Sequence, residues 1–107
     1  MSDPARPPAT PTVQIDNDLV RVTEWRFPPG TSTGWHRHAH DYVVVPMTTA
    51  RLRILTAAGE QAGELVTGQA YFRSAGVEHE VVNDNPFEVV FVEAELLQTA
   101  DAGGGRL

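Results

Sequence analysis

The chain contains no cysteine. That excludes disulfides and thiol chemistry, and it leaves nitrogen and oxygen as the donors for any metal. Lysine is absent too, so the cations are eight arginines, Arg6, Arg21, Arg26, Arg37, Arg51, Arg53, Arg73 and Arg106. They are scattered, and 14 acidic residues outweigh them to a net charge of −6. Nucleic acid, which needs a basic patch, and a polybasic membrane anchor are both excluded as expectations. No apolar run approaches the roughly 18–20 residues that span a bilayer. The opening residues Met1 to Pro8 lack the apolar core of a signal peptide, so a cytoplasmic location is expected. Helical periodicity is not sustained over three turns in any segment.

What is present fits one compact domain: 107 residues, 41% of them apolar, too many for a disordered chain and too few residues for a second domain. A proline-rich stretch, residues 1–12, reads as a disordered lead-in, and residues 99–107, with Gly103-Gly104-Gly105, as a flexible tail. Residues 13–98 break into short β-rich runs: Leu19–Phe27, Asp41–Met47, Arg51–Thr56, Glu64–Thr67, Ala70–Arg73, His79–Val82 and Phe87–Leu97. Turn residues such as Pro28-Pro29-Gly30, Gly68, Gly76 and Asp84-Asn85-Pro86 separate them. Regularly spaced short strands of this kind predict an all-β sandwich or small barrel, which also protects strand edges. In Arg51–Thr56, arginines alternate with Leu52 and Ile54, giving one wet and one packed face.

All four histidines fall in two segments. The first runs Gly30-Thr-Ser-Thr-Gly-Trp-His36-Arg-His38-Ala-His40-Asp41-Tyr42, the second Gly68-Gln-Ala-Tyr-Phe-Arg-Ser74-Ala-Gly76-Val-Glu-His79-Glu-Val-Val-Asn83. Residues two apart on an extended backbone share a face. His36 and His38 can therefore aim at one point, with a histidine from a neighbouring strand completing a three-nitrogen set. Imidazole suits borderline transition metals, and three protein ligands leave coordination positions open.

The two segments resemble the paired motifs of the cupin superfamily, whose fold is a double-stranded β-helix (jelly-roll) barrel. Gly30, His36 and His38 stand in register with the first motif, and Gly68, Gly76, His79 and Asn83 with the second. Tyr42 stands at the first motif's Glu, Thr49 at its last Gly, and Ser74 at the second motif's Pro. The stretch His-Arg-His-Ala-His-Asp-Tyr-Val-Val-Val-Pro is similar to small single-domain cupins labelled beta-alanine degradation proteins. By this resemblance His36, His38 and His79 are metal ligands, with no Glu ligand. The implied cofactor is a divalent transition metal, Fe(II) first, with Ni, Mn or Zn as alternatives.

Three neutral imidazoles leave the ion more positive than a set containing a carboxylate. The expected substrate is a small anionic or enolisable organic acid or a 1,3-dicarbonyl, activated toward O2 or proton transfer by a dioxygenase-like enzyme. The alternatives are a non-enzymatic module that binds or senses a small ligand, and a structural barrel without metal. Tyr42 is the candidate catalytic residue, or it packs in the space a Glu would fill. His40 is a further candidate ligand, although an expected turn before Tyr42 breaks the alternation. Asp41 and Asn83 read as turn or strand-pairing residues. Trp25, Trp35, Phe72 and Phe91 either wall a pocket or fill the core. Arg53 and Arg73 meet either a substrate carboxylate or solvent, and Glu24 or Glu93 would supply a base or ligand if it faced inward. Analogy with small cupins implies a homodimer, with Leu19–Phe27 or Phe87–Leu97 offering pairing edges. Metal occupancy is expected to fall as pH drops through about 6.

Overall fold

Strand parity decides what is buried in this protein, whose residues 6–97 are described by a computed structural model. Along β4 (Asp41–Pro46), Tyr42, Val44 and Pro46 are buried while Asp41 is exposed. Along β9 (Val89–Leu96), Val89, Phe91 and Glu93 take the buried positions. On the other side of β9, β2 (Val20–Phe27) buries Thr23 and Phe27 and turns Arg26 outward. Each is the period-two pattern of a sheet packed on one face.

With β1 (Thr10–Asp16) and β7 (Tyr71–Arg73), these strands form an antiparallel sheet in the order β1-β2-β9-β4-β7. The second sheet runs β3 (His36–Arg37), β8 (Glu78–Val82), β5 (Ala50–Thr56), β6 (Gly59–Leu65). No helix occurs among the described residues, and the architecture is the all-β jelly roll that the sequence predicts. Phe27, Tyr42, Val44, Leu52, Leu65 and Phe91 belong to the core between the sheets. Phe27 and Phe91 anchor it with ring centroids 5.4 Å apart.

Three elements depart from the sequence reading. The expected disordered lead-in is corrected from Thr10 onward, because Thr10–Asp16 pairs along β2 from Thr10↔Arg26 to Asp16↔Arg21. Just before it, Ala9 is buried and donates its N–H to Ser32 O at 2.9 Å. Pro11 is tolerated because β1 is an edge strand, where a missing N–H interrupts no ladder. The run expected at Glu64–Thr67 is instead a longer strand beginning at Gly59. It has little apolar content, and its pairing is reinforced by Arg51–Glu64 and Arg53–Glu60 ion pairs across the ladder. Gly63 also leaves room for Ile54, whose Cγ1 would lie 3.0 Å from any Cβ there.

The third departure concerns strand edges. β2 and β9 are paired on both sides, so neither of the runs proposed for dimer pairing presents a free edge. The edges of that sheet are β1 and β7. Residues 1–5 and 98–107, including the expected tail at 99–107, lie outside the described residues.

Candidate metal centre

His36 and His79 are direct partners in the β3–β8 ladder, so their side chains leave the same face of the sheet. His38, two residues after His36, follows to that face. Its backbone is held by the turn before β8, where His38 N–H donates to Val77 O at 2.9 Å and Gly76 N–H to His38 O at 2.8 Å. Gly76 takes φ of 99°, a conformation that residues with a Cβ adopt at a cost. The second histidine segment thus fixes the first.

The three rings converge on their Nε2 atoms. His36 Nε2 lies 3.0 Å from His38 Nε2, which lies 3.2 Å from His79 Nε2. Nitrogens held ~2.1 Å from a common ion at right angles are separated by ~3 Å. His36 Nδ1 is 3.0 Å from Gly34 O, an acceptor, so Nδ1 carries the hydrogen and Nε2 presents its lone pair. Burial, followed by the neighbouring His36, pushes the His38 imidazole down to about 4. Burial, then His36, His38 and Arg73, pushes His79 down to about 3. Both are therefore neutral at pH 7, as metal ligation requires. Spacing, tautomer and protonation all fit a divalent ion.

His40 is half-buried and does not belong to this cluster. Tyr42 is buried with its ring stacked on His38, centroids 3.9 Å apart and planes 20° from parallel. Burial, and after it Glu93, raises its hydroxyl above the ordinary tyrosine range. Asp41 accepts the Ala75 N–H at 2.7 Å, and Asn83 donates to Phe27 O at 2.8 Å and Phe87 O at 2.9 Å. Both have the bracing roles that turn and pairing residues require.

The histidines open into a cavity of about 410 Å³ between the sheets. Trp25 and Phe91 line it, whereas Trp35 and Phe72 are exposed. Parity separates the two glutamates that sequence leaves undecided. Glu24 turns outward to Arg26, 2.9 Å away, while Glu93 faces the cavity. Glu93 brings Oε2 to 4.0 Å from His38 Nε2. Burial, then the nearby Glu95, raises its carboxyl to about 7, against a hydrogen bond from Trp25. So a carboxylate does approach the centre, from β9 rather than from the Tyr42 position. The signal lay in its parity with Val89 and Phe91.

Sequence reasoning also passed over Glu80. It is buried on β8 with parity opposite to His79, accepts the Ser32 hydroxyl through Oε2, and has no hydrogen-bond partner at Oε1.

Comparison with known proteins identifies the family. No protein-family model matches the chain. It is 62% identical over 91 residues to the beta-alanine degradation protein BauB of Pseudomonas aeruginosa, covering 85% of this chain and 96% of that one. A cupin domain from Bordetella pertussis, solved by crystallography, superposes with a TM-score of 0.84 at 59% identity, over 85% of this chain and 95% of its own. A double-stranded β-helix protein from Klebsiella pneumoniae shares the fold at a TM-score of 0.71 and 19% identity, over 92% and 84% of the two chains. Identity that high over nearly the full length of the first two relatives makes this chain a small cupin, similar to BauB.

Proposed function

We propose that the protein is a metal-dependent enzyme acting on a small carboxylic or enolisable acid, with His36, His38 and His79 as the metal ligands. The observation that carries this reading is the convergence of three Nε2 atoms in a partly buried cluster. Buried imidazoles placed for hydrogen bonding alone would point their nitrogens at separate partners. A divalent ion held there supplies Lewis-acid polarisation and, as iron, a redox couple for O2 chemistry. Iron is the first choice among iron, nickel, manganese and zinc, since the ligand type suits all four.

The chain's own groups give the site its other functions. Tyr42 fixes the His38 ring by stacking and keeps its hydroxyl protonated, so it serves as a hydrogen-bond donor toward substrate. Glu93, 4.0 Å from His38 Nε2, serves as a proton acceptor beside the histidines. Trp25, Tyr71, Leu52 and Phe91 surround the cavity and limit water around the substrate. The name of the BauB relative, a beta-alanine degradation protein, supports a short carboxylic acid as the substrate class.

A second copy of this chain is the proposed partner, seated on edge strand β1, where Val13 and Ile15 are 54% and 47% exposed. Oxygen uptake and product analysis across keto acids and 1,3-dicarbonyls test the enzymatic reading. Turnover that follows metal content is expected. A fully metal-loaded protein that binds these acids but transforms none would make it a binding module instead.

A further inference from the structure

Five of the arginines among the described residues are paired with carboxylates. Arg6 meets Asp84 at 3.0 Å, and Arg21 meets Asp16 and Glu95 at 3.5 and 3.9 Å. Arg26 pairs with Glu24 and Glu88, Arg51 with Glu64, and Arg53 with both Glu60 and Asp84. Arg37 and Arg73 have no carboxylate within 4.0 Å among the described residues, and both line the cavity that holds the histidines. In a chain of net charge −6, such cations are not short of available acids.

The ladder shows how Arg73 comes to face inward. Its register partner on β4 is Tyr42, and the partner of Tyr42 on the other side is Glu95, which in turn pairs with Arg21. These residues form one row across the inner face of the sheet. Arg21 engages Glu95 at one end, so Glu95 is not free to neutralise Arg73 beyond Tyr42. Phe72, between Tyr71 and Arg73, is 52% exposed. Arg73 is itself exposed, so it stands at the mouth of the cavity while Phe72 faces solvent on the other side of the strand.

The guanidinium is also oriented. Its central carbon sits 4.8 Å from the Tyr71 ring centroid, a cation–π contact that holds the plane and leaves the edge donors available. Its hydrogen bond to Phe72 O is long, at 3.4 Å. The positive charge is close enough to add to the burial that lowers His79 and to offset part of the burial that raises Tyr42. Arg37, exposed on β3, borders the same cavity near Gly76.

We propose that Arg73 is the substrate-carboxylate receptor of this site, seconded by Arg37. The substrate is then a short organic acid whose carboxylate lies on the Arg73 edge while a second oxygen, a few bonds away, points at the three histidines. The fork geometry of guanidinium matches a carboxylate with two parallel hydrogen bonds. A 1,3-dicarbonyl without a carboxylate would leave Arg73 unused, so acids are selected over diketones. This assignment rests on the three-histidine reading for the second anchor point, and it accounts for the anionic preference without invoking the ion's charge alone.

Calorimetric titration of malonate and of uncharged malonamide tests it, in metal-free and Co2+-loaded protein. The variants are Arg73→Met and, as a control, the externally paired Arg53→Met. Wild type should prefer malonate by about tenfold or more. Arg73→Met should lose most of that preference with unchanged Co2+ content, and Arg53→Met should keep it. A wild type without preference, or an Arg73→Met variant that retains it, overturns the proposal. Failure to bind Co2+ with an Arg73-dependent preference intact would sink the metal reading and leave the receptor standing. Full Co2+ loading with no Arg73 dependence would do the reverse.

Discussion

Glu93 holds a carboxylate oxygen 4.0 Å from His38 Nε2, on the wall of the cavity opposite the β3–β8 ladder. Its proton affinity is raised because the charged form is denied water, and the same burial makes it sensitive to any cation placed among the histidines.

A raised carboxyl means the folded protein holds a proton that the unfolded chain releases at lower pH. Glu93 therefore costs stability as pH rises from its ordinary value of 4.5 through about 7. The thermal midpoint of metal-free Glu93→Gln should exceed that of wild type by several degrees at pH 8, and by much less at pH 5. Equal differences at the two pH values would show that Glu93 ionises freely in the folded state.

The histidines act in the opposite sense. His38 and His79 are lowered to about 4 and about 3, so the unfolded chain takes up protons first, near 6.5. Their contribution to stability is fully present above pH 6.5 and is lost as pH falls toward 4. Melting of the metal-free protein should show that loss, superposed on the Glu93 effect, and His79→Gln should flatten it. Because burial already resists protonation, metal should persist below pH 6, the value that unperturbed imidazoles imply. Elemental analysis after dialysis at pH 7, 6, 5 and 4 measures this, and complete loss at pH 6 would contradict the burial argument.

Tyr42 supports His38 through its ring. Tyr42→Phe keeps that stack and should bind metal within about twofold of wild type. Tyr42→Ala should lower metal affinity by about tenfold and destabilise the fold by about 3 kcal/mol, the usual consequence of emptying an aromatic core site. Competition with a chromophoric chelator and thermal melting report the two effects separately.

Gly76 offers a backbone test of the site. A Cβ there would meet only Arg37 Nη2, at 3.9 Å, so the cost of Gly76→Ala is conformational rather than steric. A φ of 99° predicts a loss of about 1–3 kcal/mol. Because Gly76 and Val77 brace His38, metal affinity should fall with it, whereas Gly59→Ala, at the β5–β6 turn with a φ of 122°, should destabilise without that effect. Chelator competition on both variants distinguishes local from global damage.

Much of the site was legible because it rests on parity and spacing. His36 and His38 share a face by counting alone, and the resemblance of the second segment supplied His79. Parity with Val89 and Phe91 also places Glu93 inward, but only the ladder brings it beside His38. Arg53 and Arg73 look alike in the sequence. The alternation with Leu52 and Ile54 predicts that Arg53 faces water, whereas Phe72 and Arg73 are both exposed and only the ladder, which sets Arg73 opposite Tyr42, brings Arg73 to the cavity. β1 escaped notice because both its faces are exposed, so no hydrophobic pattern marks it. In β6, ladder pairing and cross-strand ion pairs take the place of an apolar alternation.

The central claim is that three imidazoles bind one cation, and the most direct measurement is Co2+ titration followed by visible absorption, for wild type and for His36→Ala, His38→Ala, His79→Ala and His40→Ala. The account predicts saturable, stoichiometric binding in wild type and His40→Ala, and loss of it in each of the other three. Full binding by His79→Ala, or none by wild type, would contradict it.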